Sequence, residues 1–386
     1  MAAMSLIPHC KPPDSACRVR AGHCLAARKR WLSGPALGLA LGVWMLWPAV
    51  VVQLPAAGLH YSINQLFWLA ALPSLSGATS RVFLAFPVPL AGAMRFTALA
   101  TAGMLLPVLG TALAVQDPGT PFEYMVVLAL LFGLGGGQVA SSMAHIALAA
   151  WFGRNKRAEL LEGFAAQAVI FTRRHTWLMC WLLLGSLGSF IGFCAALPLL
   201  LQTQFNGGDL LPWVWFALLA GAWAWPVGGW LADHSGGARV SFWCFVLLAL
   251  GAVSALLSLP SDGQGGSLQG FLLSAGLLLA AAGAGSGSSF CMIARLFPMQ
   301  RQHAAELLPA TQAQAAREGR IEAAAVMGFA GAIGAHGGFF IPKSFGTSMV
   351  LTGSPAAALL FFIAFYLSCI ALTWWQCSRR HAPHPC

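Results

Sequence analysis

Residues 328–346 read GFAGAIGAHGGFFIPKSFG, with glycine at 328, 331, 334 and 337, a histidine at 336 and no full charge before Lys343. Glycine costs roughly 1 kcal/mol against alanine inside a helix, so its recurrence at every third position needs a physical reason. With its neighbours the stretch forms an apolar run over 322–349, long enough to cross a bilayer, which takes about 20 residues. A membrane-spanning helix with a glycine face lets a neighbouring backbone approach closely, as small residues do between helices in lipid.

The rest of the chain reads the same way. Hydrophobic residues make up 58% of the 386 residues and charged residues 8%, with a mean hydropathy of +0.73. That composition excludes a soluble domain of this length. Apolar runs fall near 34–54, 63–87, 97–116, 124–152, 176–201, 211–232, 240–260, 268–297, 322–349 and 354–376. The expectation is an all-α integral membrane bundle of about 10 transmembrane helices. The alternating short strands of an outer-membrane barrel are missing, and closed barrels and helices are what lipid permits.

A net charge of +10 is of the sign that nucleic acid attracts, but the positions of the basic residues point elsewhere. Lys11, Arg18, Arg20, Arg28, Lys29 and Arg30 precede the first run, and Arg154, Lys156, Arg157, Arg173 and Arg174 follow the fourth. Arg239, Arg295, Arg301, Arg317, Arg320, Arg379 and Arg380 fall on the same side when the runs are numbered in order. The opposite loops hold Asp117, Glu123, Asp209 and Asp262, with Lys343 as their basic residue. Lys343 itself is expected at the membrane interface, solvated. The positive-inside rule then predicts both termini in the cytoplasm, a lipid partner and no nucleic acid. Residues 1–33 are too polar for a signal peptide and read as a basic cytoplasmic tail. Cys10, Cys17 and Cys24 recur there beside His9 and His23, in a spacing that matches no closed tetrahedral site. Cys180, Cys194, Cys244, Cys291 and Cys369 lie within spans, where a thiol acts as a small hydrophobe.

Polar residues inside the bilayer narrow the function. Arg81, in LPSLSGATSRVFLAFPVPLAG, lies within the second span. An arginine at the bilayer centre costs about 2.5–3.5 kcal/mol on insertion scales, so it should meet water, a cavity or an anion. Glycine-rich helices beside a buried charge are how transporters build midplane sites, and both GLGGGQVASSMAHIALAA and the opening stretch supply them.

At this point a resemblance appears. GGWLADHSGGARV, with Asp233 ending one helix and Arg239 beginning the next, is similar to the cytoplasmic loop motif of the major facilitator superfamily. QLFWLAALPSLSGATSRV, LAVQDPGTPF, ASSMAHI, GSFIGF, LPSDGQGGS, GSGSSFCMI and EAAAVMGFAGAIGAHGGFFIPKSFGTSMVLTGSP resemble the nitrate/nitrite porter family, NarK type, over about 34–380. The resemblance implies transport of nitrate or nitrite by alternating access, by antiport or proton coupling. It also implies a place in nitrate assimilation, a bacterial inner membrane, no cofactor and a monomer. The opening stretch resembles the family's second glycine-rich signature, which puts Gly331, Gly334 and Gly337 on the translocation path. His336 stands where the family has an apolar side chain.

Departures from the family pattern matter equally. The family holds its anion between two arginines. Arg81 fits the first, whereas GAWAWPVGG puts Trp225 where the second belongs. Ser141 in ASSMAHI falls in the substrate-lining set, with Gln138, Val139 and Leu187 replacing expected polar or aromatic residues. After ASSMAHIALA the chain passes to AAWFGRNKRAELLEGF, which resembles the segment beyond the family's sixth helix, so two of the usual 12 helices are expected to be missing. The expected organisation is a tail at 1–33, a truncated first half at 34–153, a linker at 154–175, a six-helix second half at 176–377 and a tail at 378–386. Protonated His336 is a candidate for the second positive charge, and Trp225 for a cation–π partner of Arg81; His145 reads as a hydrogen-bonding core residue.

No enzyme is expected: the spans carry no metal or catalytic constellation, and LPSDGQGGSLQG precedes no phosphate-binding helix start. The stretch 298–321, with Glu306, Arg317, Glu318 and Arg320, reads as a connecting loop. The alternative to a transporter is a remnant that keeps the fold without the cycle.

Overall fold

The computed structural model describes residues 46–84, 93–152, 169–205, 211–260, 265–305 and 312–378. The amino-terminal tail, most of the first expected span and the stretch 153–168 lie outside the described residues. The helices are α1 (Leu46–Gln53), α2 (Ile63–Leu84), α3 (Ala93–Gly103), α4 (Leu105–Ala114), α5 (Phe122–Phe152), α6 (Arg174–Phe205), α7 (Leu211–Ser235), α8 (Gly237–Leu257), α9 (Leu268–Ala305), α10 (Gln312–Ala335), α11 (Gly337–Thr352) and α12 (Ala356–Thr373). No strand occurs among the described residues. In lipid every backbone N–H and C=O must be satisfied within the segment, and an uncharged run meets that demand as a helix.

Six of these helices, counting α10 with α11 as one, are long and apolar enough to cross a membrane: Arg174–Phe205, Val214–Ser235, Gly237–Leu257, Leu268–Gln302, Glu318–Thr352 and Ala356–Gln376. Ala98–Ala114 and Phe122–Gly137 are shorter apolar helices. α6 is almost enclosed by its neighbours, while α7 and α12 turn most of their surface outward. Side chains such as Trp223, Phe216, Leu257 and Leu351 stand exposed on the perimeter, where a bilayer would cover them.

Polar links between helices are few and well made. Trp47 Nε1 donates to the Leu69 carbonyl at 2.9 Å, tying α1 to α2, and Ser76 Oγ donates to the Leu130 carbonyl at 2.9 Å, tying α2 to α5. Ser189 and Tyr366 join α6 to α12 at 2.6 Å. At one end of the bundle, which we call the basic end, lie Arg173, Arg174, Arg239, Arg295, Arg301 and Arg320. Lys343 lies towards the other. The loop expected over 298–321 is largely helical: α9 runs on to Ala305 and α10 starts at Gln312. Alanine, glutamine, arginine and glutamate favour helix, and Gln314 Nε2 donates to Glu318 Oε1 at 3.0 Å one turn on.

Candidate functional site

The glycines of the opening stretch do two different things. α10 and α11 run as one long element between α6 on one side and α2 on the other. A Cβ at Gly334 would stand 3.0 Å from the Leu183 carbonyl oxygen, and one at Gly337 would run into the backbone of Gly188. From the facing helix, a Cβ on Gly192 would reach the Gly337 carbonyl at 2.7 Å. On the α2 side, Gly338 abuts Ser74 Oγ at 2.5 Å and Gly346 abuts Phe67 at 2.8 Å by the same construction. Gly331 meets the Phe290 ring at an ordinary 3.5 Å, and Gly328 faces open space. Close approach to a neighbouring backbone therefore falls at 334 and 337, against α6, while 338 and 346 press on side chains of α2.

His336 marks the join between α10 and α11. Its backbone N–H bonds to the Ile333 carbonyl at 3.1 Å, three residues back rather than four. Ring Nδ1 lies 3.0 Å from the Ala332 carbonyl. A carbonyl only accepts, so Nδ1 carries the proton and donates to the oxygen that the histidine's own N–H would take in a regular helix. The result is one tightened turn in an otherwise continuous helix. Nε2 then faces Thr79 Oγ1 of α2 at 3.3 Å. Neutral His336 accepts from that hydroxyl there, and protonated His336 donates to it.

Thr79 fixes the depth of Arg81. His336 sits midway along Glu318–Thr352, so Thr79 is level with the middle of that span. Arg81, half-buried in the last turn of α2, is two residues further, about 3 Å towards the basic end at 1.5 Å per residue.

Trp225 stands elsewhere. Its ring stacks on Phe290 at 5.9 Å with an interplanar angle of 14° and meets the edge of Phe190 at 6.0 Å. α7 packs on α9 and α8, whereas α2 packs on α5, α11 and α10. Trp225 and Arg81 thus belong to elements without a substantial shared seam, and the Trp225 ring is taken up by phenylalanines. Ser141, Gln138 and His145 lie in α5, with side chains outside those described; Val139 and Leu187 are buried.

Two ionic arrangements at the basic end escaped the sequence reading. Asp233 pairs with Arg295 of α9 at 2.7 Å, not with Arg239, which is exposed. The same guanidinium reaches the Asp233 carbonyl at 3.1 Å, capping the end of α7. Glu322, 2% exposed, holds Arg173 at 2.6 Å and Arg301 at 2.8 Å, joining the start of α6 and the end of α9 to α10. A lone carboxylate opening an apolar run, IEAAAVM, was the available signal. Lys343 also differs from expectation: it is half-buried, bonded to Asn64 Oδ1 at 3.2 Å and 4.5 Å from the centre of the Trp68 ring. Among the described residues no group of His, Cys, Asp and Glu is arranged to hold a metal.

Comparison with known proteins places this architecture. The chain is 36% identical over 447 residues to the nitrate/nitrite transporter NarU of Salmonella typhimurium, covering 97% of this chain and 96% of that one. The chain belongs to the nitrate/nitrite transporter family. The NarU of Escherichia coli K12 is 35% identical over 442 residues, with 96% of each chain covered. The probable nitrate/nitrite antiporter NarK2 of Thermus thermophilus is 25% identical over 443 residues, covering 94% and 95%. No family model matches the chain. The alignment with the Salmonella family member extends over 447 residues, whereas this chain has 386. The relative therefore carries residues that have no counterpart here. The surplus suffices for two spans of about 20 residues with their connections.

Proposed function

We propose that this chain transports nitrate and nitrite across a membrane by alternating access, with Arg81 as the anion anchor and α10–α11 as the wall that moves past it. The observation that carries this reading is the seam itself. A glycine-faced helix crosses α2 at mid-span, two residues from the arginine, with His336 meeting Thr79 at the crossing. A small oxyanion leaving water needs a compensating positive charge. At about 4 Å and an effective dielectric near 20, one guanidinium supplies roughly 4 kcal/mol before desolvation. Glycines without interlocking side chains let one helix shift on another with little repacking.

The charge pattern supports a multi-pass protein with both termini in the cytoplasm, and the family resemblance implies a bacterial inner membrane and a monomer. The truncated half at 34–153 and the six-helix half at 176–377 are the units that would rock. Coupling to protons would run through His336. Of the helices packed at this point, α2 brings Arg81, and α6 over 183–192 brings no ionisable group. A proton on His336 and an anion at Arg81 carry opposite charges, so the binding of either favours the other.

The test is nitrate and nitrite uptake into liposomes holding the purified protein, at two pH values, beside R81A. Uptake should fall to the empty-liposome level in R81A and rise with acidification in the parent, and H336A should flatten the pH dependence. Parent protein that is folded yet moves neither anion would leave the non-transporting remnant.

A further inference from the structure

Lys343 is the one lysine or arginine at the end of the bundle opposite the basic end among the described residues, and Asp117 and Glu123 share that end. Of the charged side chains described at that end, Lys343 is the one that attracts an anion. Its surroundings form a built arrangement. Phe339 and Lys343, one turn apart on α11, both face Trp68 of α2. The rings of Phe339 and Trp68 meet edge-on at 5.6 Å, and the ammonium sits 4.5 Å from the Trp68 ring centre. Asn64, one turn before Trp68, accepts from the ammonium through Oδ1 at 3.2 Å. Lysine has only donors, so the amide nitrogen points away from Nζ. Among the described residues the ammonium has no carboxylate partner, and neither the ammonium nor the amide NH2 has a further hydrogen bond. The ammonium, a half-buried cation facing a neutral ring and a neutral amide, has N–H donors beyond the one given to Asn64 and suits an anion with several acceptor oxygens.

We propose that Lys343, Asn64 and Trp68 form a receiving site for a small oxyanion at the end of the α2–α11 seam opposite the basic end, ahead of Arg81. The inference rests on the transport reading above and adds the place where nitrate or nitrite first docks. Lys343 lies seven residues beyond His336, about 10 Å along the helix. An anion taken up here then moves along a seam already shared by α2 and α11. It replaces Asn64 as a partner of the ammonium, which loosens the hold of α11 on α2 at that end.

The experiment is initial uptake against nitrite concentration for the parent, K343Q and K343R in liposomes. It is run at about 0.01 M and about 1 M of an impermeant organic salt, where charges act over roughly 30 Å and roughly 3 Å. At low salt K343Q should raise KM about fivefold with little change in kcat, as loss of one charge near the anion's path in water implies. The defect should shrink at high salt, and K343R should match the parent. K343M serves where K343Q is not monodisperse. An unchanged KM in the neutral variant overturns the proposal. So does a kcat loss at constant KM, the signature of a merely structural tether, or a defect indifferent to salt. Parent uptake at the empty-liposome level overturns the transport reading as well, and so separates the two failures.

Discussion

Glu322 shows how much one residue can hold in a chain with so few charges. Its carboxylate is 2% exposed and faces the guanidinium groups of Arg173, just before α6, and Arg301 of α9, so its removal leaves two arginines at a buried junction without their counter-charge. E322A should lower stability by about 2–3 kcal/mol, less than the upper range for buried pairs because both arginines are partly solvated. Thermal unfolding in detergent measures this. Adding R301A should recover part of the loss, which a double-mutant cycle isolates. Tyr61 makes a smaller link, donating to the Thr120 carbonyl at 2.8 Å and closing the loop before α2 onto the turn before α5. Burial, and then the nearby Glu123, push its phenol above the ordinary value of 10.0. The phenol's folded value exceeds its unfolded one, so the stability it contributes is complete below about pH 10 and fades as pH rises past the folded value. Y61F should cost about 1 kcal/mol at neutral pH.

For single elements, the packing of α10 and α11 turns glycine spacing into a measurable contrast. G337A places a methyl against the Gly188 backbone, which has no flexible side chain to give way. The helices must separate, at about 1–3 kcal/mol. G328A meets nothing within 4 Å and should be neutral or stabilising by up to about 1 kcal/mol, since alanine is the better helix former. Equal effects at the two positions would show that α6 and α11 do not approach as described. A second seam repeats the device: Gly221 and Gly283 face one another between α7 and α9, and Gly287 meets the Trp225 carbonyl. Trp225 therefore lies on a helix pressed backbone-to-backbone on α9, with its ring spent on Phe290 and Phe190.

At the scale of the whole molecule, the charge asymmetry makes a topological prediction. A membrane-impermeant maleimide should label the tail cysteines Cys10, Cys17 and Cys24 in inverted vesicles and not in intact spheroplasts. Cys180, Cys194, Cys244 and Cys369 are buried in the bundle and should stay unlabelled until the protein is denatured. The helical membrane architecture and the family were legible in the chain because lipid admits few backbone solutions and because hydropathy and charge are read without knowing any contact. Arg81 stood out for the same reason, as a charge where charge is costly. Partner choice was not legible. Asp233 precedes Arg239 closely in sequence yet bonds Arg295 of another helix, and Glu322 joins Arg173, just before α6, to Arg301 of α9. Lys343 suited a solvated interface until α11 was laid against α2. The periodicity of the glycines announced a close approach, but which of them touch a backbone depends on the crossing of α11 with α6 and α2. Such distances arise between segments far apart in the chain, and only the tertiary structure decides them.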